Sequence, residues 1–123
     1  MDSLINTFFT LDVYKSDIYL DANEDVLRQI YSDGISAKDK LPIEFVFVTD
    51  SQIKLSLLRE ILELRFPGYR GFEIEEIDGN WELFGITDSI QMNLEKINTW
   101  NQIMWDLGFQ YDCKLDGWHV AVN

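Results

Sequence analysis

The 123-residue sequence predicts an α+β sandwich: an antiparallel sheet with two helices on one face, preceded by an N-terminal extension. Three observations carry that expectation. Apolar and polar residues alternate with period two at 42–48, 72–77 and 81–86. Two amphipathic helical patterns, after Asp50-Ser51 and after Asn93, separate those β-type runs. Asp78-Gly79 stands between two of the runs and is the strongest short hairpin signal in the chain.

At the N-terminus, residues 5–13 and 18–20 read as short aromatic β runs around a polar turn at 15–17. Asn23 is expected to cap a helix whose first turn carries Glu24 and Asp25, where the helix dipole favours anions. Val26, Leu27, Ile30 and Tyr31 form its buried stripe, and Gly34 suits a left-handed C-terminal cap. Residues 42–48 follow as a strand, with Ile43, Phe45 and Phe47 on one face and Glu44, Val46 and Val48 on the other.

Asp50 or Ser51 caps the next helix, which runs to about Arg65. Ile53, Leu57, Ile61 and Leu64 fall on one face, widened by Leu58 and Leu62, and Pro67 and Gly68 end it. Residues 72–77 and 81–86 pair as a hairpin, with Glu73, Glu75 and Glu82 on its wet face. Asn93 caps a third helix to about Leu107. Leu94, Ile97, Met104 and Leu107 make its stripe, Trp100 and Ile103 flank it, and Gly108 closes it. Residues 109–113 and 118–122 read as β runs interrupted at Asp116-Gly117.

From Pro42 onward the order is β-α-β-β-α-β, the split-βαβ pattern of a ferredoxin-like sandwich. Residues 1–123 therefore read as one domain, with 1–41 as the N-terminal extension and first helix and 42–123 as the core. The extension is expected to cover part of the open sheet face, where Val46 and Val48 would otherwise lie.

Charge narrows the function classes. The chain has 22 acids against ten bases, a formal net charge of −12. Residues 71–113 hold nine of the acids and one base, Lys96, yet also three of the four tryptophans. Hydrophobic residues make up 46%, too many for a chain held disordered by its charge. Binding to nucleic-acid phosphates or to anionic membranes needs clustered Lys and Arg, so both are disfavoured. An acidic surface on a packed core suits a basic protein partner. The first ten residues lack a basic region followed by an apolar run, and no stretch is long and apolar enough to span a bilayer. The expectation is a soluble, cytoplasmic protein.

No catalytic, metal or cofactor signature emerges. Cys113 and His119, the only residues of their types, could suggest a thiol–imidazole pair. No cluster of bases or helix N-terminus stands near to activate the thiol. One Cys and one His cannot build a structural zinc site, and Asp112 and Asp116 miss the calcium-loop spacing. The glycines form no phosphate-cradling motif. The best partner-binding candidates are Glu73, Glu75, Asp78 and Glu82 on the hairpin, and Trp105. Trp105 lies off the apolar stripe of its helix beside Asp106, as an exposed anchor would. The competing account of the acids is a solvated surface that only aids solubility.

Certain dipeptides in this order resemble the ribonuclease E inhibitor family, regulators of ribonuclease activity B (RraB-like). They are Asp33-Gly34 before a strand containing Glu44, Gly68-Tyr69 after the second helix, the acidic turn Asp78-Gly79, the helix start at Asn93, and the closing Asp116-Gly117-Trp118. The resemblance covers roughly residues 24–122. It implies a ferredoxin-like fold, no catalysis, and an acidic inhibitor of a ribonuclease, with Asp116, Gly117 and Trp118 as structural motif residues. Leu115 stands where the family pattern has Tyr, His119 stands where it has Gly, and the family's long acidic tail does not follow Asn123. Two alternatives stay open: an immunity protein that neutralises a nuclease toxin, and a ligand-binding or enzymatic domain on the same fold.

Overall fold

The computed structural model describes residues 6–18 and 20–121. Four helices, α1 (Leu11–Ser16), α2 (Asp21–Ser32), α3 (Gln52–Arg65) and α4 (Leu94–Gln110), combine with six strands. These are β1 (Lys40–Leu41), β2 (Ile43–Thr49), β3 (Arg70–Ile77), β4 (Asn80–Ile86), β5 (Ile90–Gln91) and β6 (Lys114–Val120). The four long strands form one sheet in the order β3-β4-β2-β6, every neighbour antiparallel. That is the α+β, ferredoxin-like arrangement expected from the order of elements.

Alternation along β2 decides which side becomes the core. Ile43, Phe45 and Phe47 are buried, together with Leu83 of β4 and Leu115 of β6. They pack against Leu55, Leu58 and Leu62 of α3 and Ile97, Trp100 and Met104 of α4. Both helices thus lie on one face. The hairpin turn forms as expected: Asp78 (φ 52) and Gly79 (φ 86) both take left-handed backbone, as a two-residue turn matching the strand twist requires. Asn93 caps α4, its side chain accepting from the Lys96 N–H at 2.8 Å.

Several expectations are corrected. Of the expected N-terminal β runs, Ile5 and Tyr19 lie outside the described residues, and no other residue there joins a strand. Residues 11–16 form α1 instead, and its flanking aromatics insert into the core at the end of α4. Phe9 packs edge-on against Trp105 (4.6 Å between ring centroids) and Phe109 (5.4 Å). Residue 112 holds this segment: the Asp112 carboxylate accepts the backbone N–H groups of Thr7, Phe8 and Phe9 and meets Lys54 Nζ at 2.6 Å.

Asn23 does not cap α2, which starts two residues earlier. It is buried within the helix, donating to Asn98 and Asn101 of α4 and accepting from the Trp118 indole at 2.9 Å. In α3 the expected stripe is only partly buried: Leu58 and Leu62 are fully buried and Ile61 packs on the core, but Leu57 is exposed and Ile53 and Leu64 are 72% and 78% exposed. The chain carries two apolar rows at helical spacing. Leu55, Leu58 and Leu62 are fully buried in the core, and in that rotation Lys54 meets Asp50 and Asp112.

Gly108 is not a cap either. A Cβ there would sit 2.2 Å from the Cys113 carbonyl oxygen, so the glycine lets the following turn close against the helix. The helix continues to Gln110, which removes the β run expected at 109–113. Strand β6 runs unbroken through Asp116-Gly117, and Asp116 is the extra residue of a bulge: Val46 pairs with Gly117 and Phe47 with Leu115. The expected end of that run, Val122, lies outside the described residues. A two-stranded ladder, β1 with β5, was not foreseen.

Among the described residues, the extension does not shield the open sheet face. Helix α2 packs on α4, and α1 on the far end of the helix layer. Among the described residues, no helix is long and apolar enough to cross a membrane.

Candidate functional site

The sheet face away from the helices carries four carboxylates, Glu44, Glu73, Glu75 and Glu82. Its composition follows from alternation: each residue flanking an inward-facing side chain points outward. Cross-strand pairing sorts the outward residues into rows. One row is Glu75, Glu82, Val48 and Lys114; the next is Glu73, Phe84, Val46 and Gly117; the last is Arg70, Ile86, Glu44 and His119.

Glu73, Glu75 and Glu82 therefore share one face, as the hairpin pattern predicts. Glu75 and Glu82 stand directly opposite each other. Asp78 is at the exposed turn beyond them. Among the described residues none of these four carboxylates has an ion-pair partner, whereas Asp50, Asp112, Glu63 and Asp17 each do. Like charges opposite each other disfavour the sheet by tenths of a kcal/mol or more, and a fold gains nothing from keeping them there.

Trp105 does not join them. It is 3% exposed, packed on Phe9, with its indole N–H donating to the Tyr14 carbonyl at 2.9 Å. Helix α1 and its preceding residues cover it, which the apolar stripe of α4 alone could not reveal. Trp118 faces the core and packs edge-on against Trp100, while Gly117 opens onto the acidic face. Asp116 is exposed on the bulge.

Sequence reasoning missed the hollow in this face. A groove of about 630 Å³ crosses all four strands. Val46, Phe84 and Ile86, all half-buried, form its floor, and Glu44, Glu73 and His119 stand at its sides. His119 Nε2 is hydrogen-bonded to Glu44 Oε2. That Glu44, Val46 and Val48 share the face opposite Ile43, Phe45 and Phe47 was visible in the sequence. The hollow was not, because it depends on which residues the register brings side by side.

The thiol and imidazole do not combine. Cys113 is fully buried beside the helix layer, and burial, reinforced by Asp112, pushes its pKa up to about 12. His119 lies on the opposite, open face. Among the described residues no group of three or more His, Cys, Asp or Glu is placed to hold a metal ion.

What these features define is a ferredoxin-like α+β protein with an apolar-floored, acid-rimmed sheet face. The comparison of families is specific: the regulator of ribonuclease activity B family matches residues 20–120, most of the chain, and the protein belongs to that family. The match spans α2 through β6 and ends at the last residue of the sheet. No curated protein matches the chain significantly.

Proposed function

We propose that this protein is a non-enzymatic regulator that binds a ribonuclease through its open sheet face and inhibits it. One observation carries the reading: the carboxylates Glu73, Glu75 and Glu82, without ion-pair partners among the described residues, share a face with the half-buried apolar side chains Val46, Phe84 and Ile86. Such a surface supplies both parts of a protein interface. Complementary charge speeds encounter and fixes orientation, while desolvated apolar contacts hold the complex. Asp78 at the turn extends the acidic field toward an approaching basic partner. The membership in a family of ribonuclease regulators supports the choice of partner. RNA itself is repelled by the same carboxylates, so inhibition acts through the enzyme and not by sequestering substrate. The protein acts in the cytoplasm, where its buried free thiol stays reduced.

The test is RNA cleavage by the host's purified ribonucleases with and without the protein. Dose-dependent slowing of one of them, at a ratio near one inhibitor per enzyme, is expected. No slowing of any would refute the reading. Slowing of a secreted nuclease toxin but of no host enzyme would replace it with the immunity reading.

A further inference from the structure

We infer that the groove across the open face takes an extended segment of the partner, with one bulky apolar side chain seated on Phe84 and Val46 and Lys or Arg beside it. This rests on the open face being the ribonuclease-binding surface, and adds which part anchors and what chemistry it accepts.

The geometry has three parts. First, Gly71, in the bulge of β3, and Gly117, on β6, present no side chain at the two edges of the sheet, so the trough is open at both ends. With strands about 4.8 Å apart, crossing four of them spans about 14 Å, the length of about four residues of extended chain. Second, the floor is apolar and the volume lies within the range that holds a ligand-sized group, about 300–1,000 Å³. Third, Glu73 and Glu44 bracket the floor in adjacent rows. An acidic segment or a nucleic acid would be repelled. A segment of only Lys and Arg would leave the floor unfilled. A bulky apolar residue flanked by bases satisfies both.

Gly117→Val tests this without disturbing the fold. A Cβ at Gly117 meets no atom within 4 Å, and its backbone is not left-handed. Valine suits a strand, so stability should hold or rise, while its methyls enter the trough. The probe is a fluorescein-labelled nonapeptide with a central Trp flanked by two Arg and two Lys, compared with the same peptide carrying Gly at the centre. We expect the Trp peptide to bind about tenfold tighter or more, as burial of a large apolar group implies. Amide NMR shifts should centre on Val46, Phe84 and Gly117. Gly117→Val should weaken the Trp peptide by about tenfold with no fall in the melting midpoint, and Phe84→Ala, which removes the floor, should weaken it as much while lowering the midpoint.

Equal binding of the two peptides, shifts confined to the turn at Asp78, or full binding by folded Gly117→Val would overturn the inference. Ribonuclease inhibition read in parallel separates the two claims. If the unaltered protein and Gly117→Val inhibit equally, the trough falls and the inhibitor reading stands. If the unaltered protein inhibits no ribonuclease but the Trp peptide still docks on Phe84, the inhibitor reading falls and the trough stands.

Discussion

Neutralising Glu75 should make the protein more stable and a poorer binder. Glu75 and Glu82 occupy directly opposed positions on β3 and β4, and Glu73 is two residues along the same face. Neither Glu75 nor Glu82 has a cationic partner among the described residues. A like-charge cross-strand pair costs about 0.2–1 kcal/mol, toward the lower end where solvent screens it. Glu75→Gln keeps the shape and removes that cost. A gain of about 0.5 kcal/mol in a domain of this size raises the melting midpoint by about 2 °C. Thermal unfolding followed by circular dichroism at about 20 mM salt reads the gain. Raising salt to about 1 M, where the screening length is about 3 Å, should erase it. Titration against the inhibited ribonuclease should show weaker binding, mostly through slower association. A variant less stable at low salt, or one that binds as well as the parent, would refute the reasoning: the acids would then be either structural or idle.

Three further outcomes follow from the packing. Burial raises the Asp112 pKa, but Lys54 and the N–H groups of residues 7–9 more than offset it, leaving the folded value below 3.8; a Lys54 hydrogen bond lowers Asp50 likewise. A depressed carboxylate contributes stability above its unfolded pKa and loses it as pH falls through the folded one. Urea midpoints should therefore drop as pH goes below about 3.8, and Asp112→Asn, costing about 2–4 kcal/mol at pH 7, should flatten that drop. Gly108→Ala should cost about 1–3 kcal/mol or more, because its Cβ meets the Cys113 carbonyl; a neutral result in chemical denaturation would contradict the close approach. Trp105→Ala should cost about 3–5 kcal/mol of stability while folded protein binds the partner normally, and loss of binding without loss of stability would restore Trp105 as an interface residue.

Local rules made much of this fold legible. The Asp78-Gly79 turn, the Asn93 cap and the alternation of Ile43, Phe45 and Phe47 each depend on neighbours within four residues, and each stands as expected. The misreadings share a different cause. Ile53 and Leu55 belong to two apolar rows of one helix, and only tertiary packing selects between them. Gly108 looks like a helix end because glycine commonly is one, whereas here it answers a carbonyl from a later residue. Trp105 looks exposed because the residues that cover it, Phe9 and Tyr14, lie about 90 positions away. The acidic face was readable as Glu73 and Glu75 at period two, with Glu82 on the facing strand of the hairpin. Its hollow was not, since it needs β6 beside β2 with Asp116 bulged out, which places Gly117 next to Val46.

If the hairpin acids, and not net charge, bind the partner, reversing them must cost more than reversing acids elsewhere. The most direct measurement is the inhibition constant of Glu73→Lys/Glu75→Lys against Asp12→Lys/Asp25→Lys, two reversals each, with Asp12 on α1 and Asp25 on α2. The hairpin pair should lose at least about tenfold, equal to about 1.4 kcal/mol, and the other pair less than about twofold. Equal losses for the two pairs would show that the protein acts through bulk charge, and would contradict binding by the hairpin acids.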